Sequence, residues 1–122
     1  MFGEDPVMVK AGADNKGGVA MFDNCAFWGP CDSNARIEAG SFTFSNCTFV
    51  DYDCHDRDTP SLDIRGGDVI VSGCRFQHKG QAVKLTGDAE ALIFKDNVLK
   101  TDRVIDDSSS AQVIEKDNVI LK

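Results

Sequence analysis

The sequence predicts an all-β protein, a single-stranded, right-handed parallel β-helix of about five coils. Three observations predict it. A strand–turn–strand unit recurs along the chain, each turn holds Asn, Gly or Asp, and the apolar residues of each unit fall at matching places.

The units are AMFDNCAF at 20–27, FTFSNCTF at 42–49, VIVSGCRF at 69–76, LIFKDNVL at 92–99 and VIEKDNVI at 113–120, spaced by 22, 27, 23 and 21 residues. Their turn column is Asn24, Asn46, Gly73, Asp96 and Asp117. These residue types tolerate a positive φ, so one left-handed residue per coil accounts for the column. The next column is Cys25, Cys47, Cys74, Asn97 and Asn118, and two residues on lie Phe27, Phe49, Phe76, Leu99 and Ile120. Strand alternation places both columns inside, with the cysteines read as small buried hydrophobes. Phe22, Phe44, Val71 and Phe94 also point in, and Glu115 breaks that column.

A second strand family lies between the units: VMVKAG at 7–12, ARIEAG at 35–40, LDIRG at 62–66, AVKLTG at 82–87 and DRVIDD at 102–107. Four of the five end in Gly, which marks a bend. Taking Val9, Ile37, Ile64, Leu85 and Ile105 as one inward column turns Arg36, Asp63 and Lys84 outward in one file and Glu38, Arg65 and Thr86 in another. An antiparallel sandwich also has short strands and Gly-rich turns, but it does not require one residue type at one place in every repeat. No stripe of helical period persists.

The chain of 122 residues carries a net charge of -7 and has 42% hydrophobic residues, which describes one globular domain over 1–122. The acidity argues against nucleic acid and anionic membrane as partners. No apolar run approaches the roughly 20 residues needed to span a bilayer. No secretion signal is visible at MFGEDPVMVK. The run NVILK ends the sequence in mid-repeat, so an uncapped edge is expected. The expectation is either the C-terminal portion of a longer β-helix or ends covered by a partner, with self-association into a homo-oligomer.

Candidate functional residues have structural readings beside them. Glu38 and Asp63 read as the paired catalytic carboxylates that glycoside hydrolysis needs, in a sugar groove, with Arg65 as a catalytic basic residue beside them and Arg36 and Lys84 as sugar-binding charges. The alternating signs of this face favour the structural reading, an ion-pair ladder on an exposed sheet. The loop VDYDCHDRDTP at 50–60 offers Asp53 and His55 for binding or acid–base chemistry. Calcium is conceivable there, although the ligand order matches no dedicated calcium loop. Trp28 reads as a stacking platform or as packing under Gly29-Pro30, with Tyr52 one rung above. Cys31 and Cys54 fall on adjacent rungs, within conceivable reach of a disulfide. No CxxC spacing is present, so no metal site is expected. His55 follows Cys54 directly, and strand neighbours point to opposite faces, which weakens that pair.

The units FDNCAF and FSNCTF resemble the recurring strand–Asn turn–strand unit of the pectin-lyase-like superfamily. The stretches GGVAMFDNCAFWGP and GSFTFSNCTFVDYD resemble late coils of bacterial polysaccharide-active β-helix proteins. The resemblance covers about residues 7–120. It implies a right-handed β-helix, a polysaccharide or oligosaccharide partner, and an extracellular or periplasmic location. The paired-Asp and Gly-His-Gly motifs of the hydrolases are absent, and no diagnostic lyase run is present. The expectation is a module of a polysaccharide lyase or glycoside hydrolase-like protein that is not catalytic by itself. The alternative is a structural or carbohydrate-binding element, of the phage-fibre kind, that self-associates.

Overall fold

A computed structural model describes residues 7–121, which hold strands, bends and turns and no helix. The strands are β1 (Val7–Ala11), β2 (Val19–Asp23), β3 (Ala26–Trp28), β4 (Ser33–Ile37), β5 (Ser41–Ser45), β6 (Thr48–Val50), β7 (Leu62–Ser72), β8 (Arg75–Phe76), β9 (Val83–Lys95), β10 (Val98–Leu99), β11 (Ile105–Asp107), β12 (Gln112–Lys116) and β13 (Val119–Ile120). Every pairing is parallel. The chain is therefore a parallel β-solenoid of about five turns, as the repeat predicts.

Each coil contributes a first, a second and a third strand. The first-strand ladder is β1, β4, the start of β7, the start of β9, and β11. The second is β2, β5, the end of β7, the end of β9, and β12. The third is β3, β6, β8, β10 and β13. The long strands β7 and β9 run through the first corner, where their pairing slips between Ile64 and Gly66 and again between Gly67 and Asp68.

The second corner is uniform. Asn24, Asn46, Gly73, Asp96 and Asp117 have φ of 57°, 54°, 66°, 60° and 59°. One left-handed residue turns the chain from second to third strand in every coil, which is why only Asn, Asp and Gly occur there.

Behind that turn a column of side chains replaces the interrupted backbone ladder. The Cys47 amide donates to Cys74 Sγ at 3.4 Å, the Cys74 amide to Asn97 Oδ1 at 2.9 Å, and the Asn97 amide to Asn118 Oδ1 at 3.0 Å. In the other direction the Cys47 thiol reaches Phe22 O at 3.3 Å and the Cys74 thiol reaches Phe44 O at 3.4 Å. Asn97 Nδ2 donates to Val71 O at 3.2 Å and Asn118 Nδ2 to Phe94 O at 3.1 Å. Thiol and carboxamide thus occupy one role, donor to the coil before and acceptor from that same coil's amide. The reading of these cysteines as simple hydrophobes misses this polar function.

The core is a lattice of phenylalanines. Along the stack, Phe27, Phe49 and Phe76 lie face to face with centroids 5.2 and 4.8 Å apart, and Phe22 stacks on Phe44 at 5.3 Å. Across the coil, Phe44 meets Phe49 edge-on at 5.6 Å. Offset stacks in one direction and edge contacts in the other are the two arrangements aromatic quadrupoles favour. Above Phe76 the column continues through Leu99 to Ile120. On the final rung the inward columns are uncovered: Val113 and Ile120 are 36% and 40% exposed, and Glu115, opposite Phe94, faces solvent.

One expected register is corrected. Ile37, Ile64 and Leu85 do stack, but Val9 pairs with Ala35 and Ile105 with Val83. The ends are slipped by two residues. A two-residue slip keeps every side chain on its own face, so alternation alone does not detect it.

Candidate functional site

A concavity of about 760 Å³ lies along the first corner, between the first and second strands. Glycines make it. A Cβ on Gly66 would lie 2.1 Å from Glu38 O, and one on Gly67 would lie 2.2 Å from Gly40 O. Gly40 and Gly67 also have φ of 102° and 74°. Only a bare backbone allows successive coils to bend this closely, and the missing side chains leave a trough. Its walls carry Asp14, Glu38, Asp68, Asp88 and Glu90 against a single ammonium, Lys16. These residues belong to four successive coils, so the trough extends about 14 Å at roughly 4.8 Å per rung. Asp68 is held by the Ser41 hydroxyl, which donates to its Oδ1 at 2.7 Å.

The paired carboxylates expected from sequence do not meet here. Glu38 lines the trough, whereas Asp63 lies on the outer face of the first ladder, directly between Arg36 and Lys84 in register. Its Oδ2 accepts from Arg36 Nε at 3.3 Å and pairs with Arg65 Nη2 at 2.9 Å. Arg36, Asp63 and Arg65 therefore form an ion-pair cluster of the kind the alternating signs also predict, with Lys84 next in register. Asp63 is buried between two guanidiniums, so it is not a free carboxylate facing a sugar. In its place Asp68, Asp88 and Glu90 share the trough with Glu38. The signal for them is the recurrence of a carboxylate just past the bend glycine: Gly12-Ala13-Asp14, Gly67-Asp68 and Gly87-Asp88.

The aromatic pair expected from sequence is also split. Trp28 points outward on the third ladder, 65% exposed, and does not line the trough. Its partner in register is Val50. Tyr52 is fully buried, its hydroxyl donating to His78 O at 2.8 Å, and it offers no face to a ligand. The correction has a local cause. Asp51 is left-handed, with φ of 58°, and this ends the strand alternation that would have turned Tyr52 outward.

The long loop folds on itself through four left-handed aspartates, Asp51, Asp53, Asp56 and Asp58. Asp53 Oδ1 accepts from the amides of Arg57 and Thr59 at 2.9 and 3.1 Å and from the Thr59 hydroxyl at 3.1 Å. Asp58 pairs with Arg103. The loop is tied to the preceding coil at Asp32 O, which accepts from the Asp53 amide at 2.9 Å and the Thr59 hydroxyl at 2.7 Å. Beside this clamp His55 Nδ1 lies 2.8 Å from Asp32 Oδ1 and 3.5 Å from Cys54 Sγ. Cys54 and His55 lie in a turn rather than a strand, so their side chains converge instead of diverging.

Cys31 and Cys54 are neighbours, the Cys54 amide donating to Cys31 O at 3.0 Å, and both are free thiols. Burial, with Asp32 and Asp51 beside it, raises the Cys54 thiol above its ordinary value, the opposite of an activated nucleophile. Burial also pushes the Cys31 and Cys74 thiols from about 9 up to about 12. The folded chain holds these protons more tightly than the unfolded chain. Their contribution to stability is therefore complete below about pH 9 and is lost as the pH rises towards 12. Each neutral thiol adds to the fall of stability with pH in that window. Urea midpoints should fall steeply above about pH 9, and Cys74→Ala should remove about half of the slope due to the two thiols. A profile as steep in Cys74→Ala as in the parent would refute the assignment.

No protein-family model, curated protein or solved structure matches the chain.

Proposed function

We propose that this chain is a carbohydrate-binding β-helix module of the pectin-lyase-like kind, not catalytic by itself, with its ligand lying along the first-corner trough. The observation that carries the reading is the trough, an open groove four coils long, walled by five carboxylates and floored by glycine backbone. Carboxylates accept hydrogen bonds from sugar hydroxyls, and bare backbone lets a ring approach closely. The charge selects among sugars. A polyuronate would meet five carboxylates, one lysine and a chain of net charge -7, so the ligand is a neutral or amino-sugar oligosaccharide. Asp63, expected to be the second catalytic carboxylate, is held between Arg36 and Arg65, which favours binding over hydrolysis.

Titration of the isotope-labelled chain with neutral, amino-sugar and uronate oligosaccharides tests this. Amide shifts should appear at Gly40, Gly67 and Asp88 with the first two classes and not with uronates. Glu38→Gln should weaken binding about tenfold, equivalent to about 1.4 kcal/mol. Shifts confined to the Trp28 face, or none in the trough with any sugar, would overturn the reading.

A further inference from the structure

The loop clamp creates a second site, independent of the trough. Asp32 Oδ1, Cys54 Sγ and His55 Nδ1 all lie within 4.8 Å of one another. The geometry points to a transition-metal site of the zinc class, with these three atoms as ligands and water in the fourth position.

The spacing suits one ion. Tetrahedral Zn²⁺, bonded to N and O at about 2.0–2.1 Å and to S at about 2.3 Å, separates its ligand atoms by roughly 3.3–3.6 Å. Sulfur and nitrogen already stand 3.5 Å apart, and nitrogen and carboxylate oxygen, at 2.8 Å, need only open slightly. One imidazole nitrogen faces both a thiol and a carboxylate. It cannot donate its single proton to both, whereas a cation satisfies all three lone pairs together.

The site is also held in place. Asp32 is buried, and its main-chain carbonyl anchors both arms of the loop through the Asp53 amide and the Thr59 hydroxyl. The amide of Cys54 is fixed to Cys31 O. Arg57 Nη1 lies 3.7 Å from the second oxygen, Oδ2, and so orients the carboxylate with Oδ1 towards the ion. Asp32 is buried, Cys54 half-buried and His55 exposed, so the fourth position opens to solvent.

The donor set names the metal class. Thiolate with imidazole selects zinc or cobalt over calcium or magnesium, which take oxygen ligands. On binding, the Cys54 thiol gives its proton to solvent, and the imidazole proton moves to Nε2 or, from imidazolium, is also released.

Cobalt(II) added to the full chain under reducing conditions reports this directly. One equivalent should produce a thiolate-to-cobalt charge-transfer band, and zinc should abolish it where calcium does not. Cys54→Ser should eliminate the band. His55→Gln, at an exposed side chain that leaves the fold intact, should weaken cobalt binding by at least about tenfold. Cys31→Ser should keep the band. The site is refuted if no band forms, if the band survives Cys54→Ser, if His55→Gln binds as tightly as the parent, or if Cys31→Ser abolishes it as Cys54→Ser does.

Discussion

Phe49→Ala is expected to destabilise the chain by about 3–5 kcal/mol, the largest loss for any core truncation. Phe49 is fully buried at the middle of the stack, with Phe27 on one side, Phe76 on the other and the edge of Phe44 against its ring. Removing the ring leaves two faces and one edge without partners. The neighbours cannot collapse into the void, because each is fixed to its own rung by backbone hydrogen bonds at the coil spacing. Phe27 stacks on one ring, Phe49, among the described residues, whereas Phe49 stacks on two, so Phe27 should lose less on truncation. Equilibrium urea unfolding followed by circular dichroism measures both. A loss under about 1 kcal/mol at Phe49 would show that the stack does not carry the core.

Gly67→Ala should have an effect of similar size for an unrelated reason. The new Cβ would lie 2.2 Å from the carbonyl oxygen of Gly40, a backbone atom that cannot swing aside, at a residue whose φ is 74°. The left-handed backbone alone costs an alanine about 1–2 kcal/mol, and the clash adds to it by forcing two coils apart. A total of roughly 3 kcal/mol or more, or failure to fold, is expected. Gly12→Ala is the control, since nothing lies within 4 Å of a Cβ there. Equal midpoints for Gly67→Ala and Gly12→Ala would remove the argument that bare backbone shapes the first corner.

The fold is legible in the sequence wherever one physical demand repeats on every coil. The left-handed corner requires the same few residues at Asn24, Asn46, Gly73, Asp96 and Asp117, and the aromatic stack requires Phe27, Phe49 and Phe76 to fall in step. The trough is less legible because its carboxylates stand just where the strand pairing slips, between Ile64 and Gly66 and between Gly67 and Asp68. Asp63 precedes the slip, and its file with Arg36 and Lys84 keeps the register that counting gives. Asp68 and Asp88 lie at the slip and beyond it, where matching columns by counting fails. The cluster of Asp32, Cys54 and His55 is hidden for a different reason. Its members meet only because left-handed residues such as Asp51 and Asp53 curl the loop back onto the coil before it, and strand alternation says nothing about such a path.

The two ends of the third strand obey different rules. The link entering it is always a pair of residues, 24–25, 46–47, 73–74, 96–97 and 117–118, with the same hand of turn. The link leaving it runs over 29–32, 51–61, 77–82 and 100–104, and no two of these have the same length. Insertions and deletions can therefore accumulate at the leaving link without disturbing a single rung. The solenoid separates a part of the chain that must be copied faithfully from a part that is free to vary. The leaving link is the natural place for new loops to arise by evolution, or to be grafted by an engineer.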